Sequence, residues 1–142
     1  MYRIVSIGAA LLAMAGCATS SIPLSEATPV PADEIYAFTG AGGSDTARLT
    51  VFRDTGFVGA GCDVVFYIDG QRVAKVGPGQ KASFNVPSGE LNLGTGLAES
   101  GLCAGAAIKT IPATLKAGAT KTFRISGDMQ GFYLGPYVDY GR

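Results

Sequence analysis

Residues 81–86 read KASFNV, with Ala82, Phe84 and Val86 apolar and Lys81, Ser83 and Asn85 polar. A period of two is the mark of a strand with one face in a core and the other in water. The pattern recurs from residue 47 onward. ARLTVFR (47–53) puts Leu49 and Val51 opposite Arg48 and Thr50, and DVVFYID (63–69) aligns Val64, Phe66 and Ile68. QRVAKV, LNLGTGL, AIKTIPATL and TKTFRIS add further short segments, the last with Phe123 and Ile125 on one face. Between them stand Asp69-Gly70, Gly77-Pro78-Gly79, Pro87-Ser88-Gly89 and Lys116-Ala117-Gly118, residues that reverse a chain in tight turns. The tail GFYLGPYVDY (131–140) fits a last strand, with Pro136 at a sheet edge because it cannot donate to a ladder. About seven short antiparallel strands at regular spacing predict an all-β fold, a β-sandwich over residues 45–142. No helical stripe occurs after residue 47, and a short helix fits residues 24–37.

The first residues follow a different logic. Met1-Tyr2-Arg3 supplies one positive charge, and an apolar run from Ile4 to Ala15 is broken only by Ser6 and Gly8. This run is shorter than the roughly 20 residues of a membrane span and has the form of a secretory signal over residues 1–16. It ends Met14-Ala15-Gly16-Cys17. That stretch resembles the bacterial lipobox, in which two small residues precede an invariant cysteine. The resemblance implies that Cys17 is acylated and becomes the first residue of the mature chain. Two or more acyl chains, a palmitate among them, give stable attachment. Ala18 stands where lipoproteins retained at the inner membrane often carry aspartate, so the expected location is the periplasmic face of the outer membrane, with surface exposure left open. Residues 17–44 are rich in Ser, Thr, Ala and Pro, and read as the lipidated cysteine followed by a flexible tether.

The stretch Ala47 to Leu97 is similar to small bacterial lipoproteins with a PEGA-like domain, through Arg53, Asp69, Gly70, Val86, Pro87, Gly89 and Leu91. An inserted TGFVGAGC before the second strand departs from that pattern. These are turn and core residues, so the resemblance implies a fold more than an activity.

Composition limits the chemistry. Formal net charge is zero, which leaves no basic field for nucleic acid. The chain has no histidine, so no Ser-His or Cys-His nucleophile pair can be built. The glycine-rich stretches lack the Lys-Ser/Thr of a phosphate loop. Asp54, Asp63, Asp69, Glu90, Glu99 and Asp128 all fall in or beside expected turns, where aspartates cap their own backbone. No catalytic residue, metal or cofactor is expected. Export permits oxidation, and Cys62 and Cys103 are expected to form a disulfide, with two reduced thiols as the other reading. Arg53 at a strand end, together with Tyr133 and Tyr137 in the tail, are the candidate binding residues. These features describe a non-enzymatic envelope module with a protein or cell-wall partner. The alternative is a small-ligand binder or enzyme inhibitor using the loops around Cys62 and Cys103.

Overall fold

The computed structural model describes residues 19–56, 61–97 and 107–140. Nine strands form two sheets: β1 (Thr28–Pro29), β2 (Thr46–Arg53), β3 (Val64–Ile68), β4 (Gln71–Val76), β5 (Gln80–Pro87), β6 (Gly89–Leu97), β7 (Lys109–Leu115), β8 (Thr120–Asp128) and β9 (Gly131–Pro136). One sheet has the order β1-β5-β2-β8-β9, the other β4-β3-β6-β7. The all-β sandwich is therefore the fold.

The core lies where alternation places it. Leu49 and Val51 of β2, Phe84 of β5 and Ile125 of β8 meet Val64, Phe66 and Ile68 of β3, Leu93 of β6 and Leu115 of β7, all essentially inaccessible to solvent. Phe66 and Phe84 stack across the sheets with ring centroids 5.8 Å apart. Each such side chain contributes about 1.5–3 kcal/mol through burial. The β3–β4 turn has Asp69 at φ 47° and Gly70 at φ 78°, the left-handed pair a two-residue hairpin needs. Asp69 also accepts the Asn92 backbone N–H at 2.8 Å through its carboxylate, which fixes the turn to β6.

Two pairings are parallel rather than antiparallel, β1 with β5 and β2 with β8. Alternation reports faces and not strand direction. Hairpin signals set direction only between consecutive strands, and β2 and β8 are far apart in the chain.

The stretch expected as a flexible tether is built into the fold from Thr19 onward. Thr19 and Gly127 are joined twice: the Thr19 N–H donates to the Gly127 carbonyl at 2.9 Å, and the Gly127 N–H donates to the Thr19 hydroxyl oxygen at 2.9 Å. Ser20 bridges Thr55. Short 3-10 turns follow at Leu24–Glu26 and Ala32–Glu34, where a short helix was expected. Between them β1 adds to the edge of β5, with Thr28 donating to the Gly79 carbonyl and Val30 to that of Lys81. Pro29, lying between these two donors, falls where an N–H would point away from β5, so its lack of one is harmless. Val30 is 5 % exposed and joins the core. Ile35 then bridges Ala74 on β4, and Tyr36 donates to the Val73 carbonyl. Residues 19–36 thus form a strap that covers the β5 edge and reaches β4 of the other sheet, protecting backbone that would otherwise be open to pairing. Ser/Thr/Pro-rich composition resembles a linker, but it suits an extended edge segment equally well.

Candidate functional site

The strand directions gather several polar groups at one end of the sandwich. β2 and β8 finish there, β5 begins there, and β3 and β7, both antiparallel to β6, start there. Arg53 and Asp54 close β2 at this end, and both are 1 % exposed.

Arg53 lies inside the fold. Its guanidinium donates to the Cys62 carbonyl at 2.6 Å and to the Val76 carbonyl at 3.0 Å. The Phe132 ring covers it, with the guanidinium carbon 4.6 Å from the ring centroid. One side chain thereby joins the end of β2 to the start of β3 and the end of β4, with a cation–π contact to β9. Burial lowers the Arg53 pKa to about 10, opposed by the Asp63 carboxylate, so Arg53 stays charged at neutral pH. Expected at a strand end as a candidate binding residue, Arg53 is placed as an internal tie. Alternation explains this, because Leu49, Val51 and Arg53 share the face of β2 that turns into the core.

Asp54 occupies the opposite face of the same strand, beneath the strap. Its Oδ2 lies 3.1 Å from Arg124 Nε of β8. The Ile22 backbone and the Thr19 hydroxyl also favour its charged form. Burial pushes the Asp54 carboxyl above the usual carboxylate range, with Arg124 as the main opposing influence. Expected in or beside a turn, Asp54 is instead buried beneath the strap.

The other acids remain apart. Asp63, Asp69 and Glu90 are exposed, and Asp128 accepts the Gln130 N–H within the β8–β9 turn. Glu99, Cys103 and Cys17 lie outside the described residues. Cys62 is half-buried two residues before β3. Among the described residues no group of three or more Cys, Asp or Glu comes together as a metal ligand set.

The two candidate tyrosines do not share a site: Tyr133 is on β9 and Tyr137 just beyond its end. Tyr133 sits opposite Ser126 at the Arg53 end, and Lys109 Nζ lies 3.5 Å from its ring centroid. Tyr137 lies further along, where its N–H donates to the Thr122 carbonyl. Its ring meets Phe52 edge-on at 4.9 Å. Phe52 is outward-facing on β2 yet fully buried, because the tail crosses over it. Tyr137 borders a shallow groove of about 440 Å³ with Arg124, Ser126, Gly135, Val138 and Tyr140. It also borders a second of about 420 Å³ that runs toward β7. Val138 and Tyr140 are exposed beside them. Sequence reasoning missed Phe52 and Thr19. The consecutive apolar pair Val51-Phe52 was the available sign that both faces of β2 are covered.

No family model matches the chain, and no curated protein or solved structure proves similar to it. The fold and the two arrangements at its Arg53 end and its tail are what the molecule itself offers. They define an all-β sandwich in which buried Arg53 joins β2, β3, β4 and β9 and Asp54 pairs with Arg124 of β8.

Proposed function

We propose that the chain is a lipid-anchored, non-enzymatic module of the bacterial cell envelope, PEGA-like in type and attached through Cys17 to the periplasmic face of the outer membrane. The observation that carries this reading is the apolar run ending in Met14-Ala15-Gly16-Cys17, two residues before Thr19, which is hydrogen-bonded into the domain. Buried Arg53 and Asp54 are engaged in strand-to-strand contacts, which suits a structural or interaction role better than acid–base work. The outer face around Tyr137, Val138 and Tyr140 is the surface offered to an envelope protein or a cell-wall partner. Tyrosines beside shallow grooves are common at such contacts.

A Cys62–Cys103 disulfide belongs to the same reading. The start of β3 and the start of β7 lie at the same end of one sheet, separated by β6, which favours a meeting of the segments that precede them. Closing a loop of about 40 residues would stabilise the domain by roughly 4 kcal/mol in the chain-entropy model.

The test is metabolic labelling with a clickable fatty acid. The wild-type protein should be labelled and processed, and the Cys17→Ala protein should be neither. Equal labelling of the two would overturn the reading.

A further inference from the structure

We infer that the end of the sandwich carrying the β8–β9 turn rests on the lipid surface itself, with Ile108 and Met129 in the interface; this builds on the reading that Cys17 is lipidated. The strap supplies the distance. Thr19 is held to Gly127 by two hydrogen bonds, and Cys17 is two residues earlier. Two residues of extended chain span about 7 Å at most. A flexible tether over residues 17–44 would instead allow very roughly 25–30 Å. Gly127 therefore cannot stand far from the acyl chains, and Met129 follows it by two residues.

The surface at that end has the matching chemistry. Met129 is 77 % exposed, Ile108 52 % and Tyr133 37 %. Lys109 unites them. Its ammonium donates to the Gln130 carbonyl at 3.3 Å and lies over the Tyr133 ring, so the start of β7 is fastened to the β8–β9 turn. Exposed apolar side chains, a tyrosine and a lysine with a long apolar stem are the residues that settle at a bilayer boundary, the ring and the cation at headgroup level. The nearby Asp128 carboxylate is turned back onto the Gln130 N–H. The opposite end of the sandwich has Asp69, Glu90 and Lys116 in or beside its turns, and the exposed aromatic beside β4, Tyr36, is held by Glu34 through its hydroxyl and by Arg72 over its ring.

The chain contains no tryptophan, so a single indole reports its own position. Met129→Trp and Lys116→Trp proteins, purified with their lipid, are placed in phosphatidylethanolamine–phosphatidylglycerol vesicles with and without brominated acyl chains. Mass spectrometry of the same samples reads the modification of Cys17. With the lipid present, emission from the Met129→Trp protein should fall at least twofold in brominated vesicles, and that of the Lys116→Trp protein should not change. The second variant controls for the affinity of indole for interfaces. Absence of lipid on Cys17 would overturn the anchoring reading. Lipid on Cys17 with equal quenching of both variants, or with neither quenched, would overturn the orientation alone.

Discussion

Where β3 turns into β4, β5 into β6 and β7 into β8, the chain reverses within a few residues, and backbone bonds such as Ser88 to the Asp45 carbonyl and Gly118 to the Thr46 carbonyl finish the closure. At the opposite end the closure runs through side chains. Arg53 reaches Cys62 and Val76, Thr19 reaches across more than a hundred residues to Gly127, and Asp54 and Arg124 pair beneath the strap. Local turns need only the right residue types in sequence. The side-chain end needs buried charge, and a buried charge must be supplied with partners. The difference teaches that the end nearest Cys17 is held by groups whose loss is felt across several elements at once. The far end consists of replaceable turns.

Arg53→Ala should produce the largest effect. It removes a large buried side chain, leaves the Cys62 and Val76 carbonyls without their donor, and uncovers Phe132. A loss of about 3–5 kcal/mol is expected, read as a lower urea midpoint. That is a large share of a typical domain stability of about 5–15 kcal/mol. A loss under about 1 kcal/mol would mean that the two ends do not differ in this way.

A pair of glycine substitutions sharpens the contrast. A Cβ at Gly127 would meet Phe132 Cε1 at 2.8 Å, so Gly127→Ala should cost about 1–3 kcal/mol by overpacking. It should also loosen the Thr19 contacts. At Gly70 the space is open and only the φ of 78° resists a side chain. Gly70→Ala should therefore cost about 1 kcal/mol and leave the strap untouched. Thermal unfolding of both proteins, with hydrogen exchange at Thr19, separates a steric effect from a conformational one.

The smallest effect is a pH dependence. The Asp54 carboxyl is raised in the folded protein above its ordinary value of 3.8, by burial first. A raised acid contributes stability that is fully present below the unfolded value and lost as pH rises through the folded value. Asp54→Asn has no such loss. The stability of the variant minus that of the wild type should thus increase as pH climbs from below 3.8. Arg124, more than a third exposed, remains solvated without its partner. A flat difference across that range of chemical denaturation curves would contradict the burial account of Asp54.

What could be read from the residues follows the same division. KASFNV became β5 with Ala82, Phe84 and Val86 in the core, and Asp69-Gly70 became its expected turn, because alternation and turn chemistry are local. Pro136 does end an edge strand. The strap was not legible, since its order comes from partners far away in the chain: Gly127, Thr55, Gly79 and Ala74. Arg53 stands out in the sequence as a charge closing a strand, but its burial depends on Phe132 closing over it from β9, which no local pattern reports. Tyr133 and Tyr137 both read as tail aromatics in the sequence. Strand register separates them, one beside Lys109 and the other against Phe52.

Hydrogen exchange asks directly whether residues 19–36 belong to the fold. The amides of Thr19, Thr28, Val30 and Tyr36 each donate to a carbonyl elsewhere in the domain. They should exchange orders of magnitude more slowly than an unstructured chain, with Val30 approaching the protection of Leu49 and Val51 in β2. Exchange of all four at unstructured rates, while β2 stays protected, would contradict the strap and return these residues to a tether.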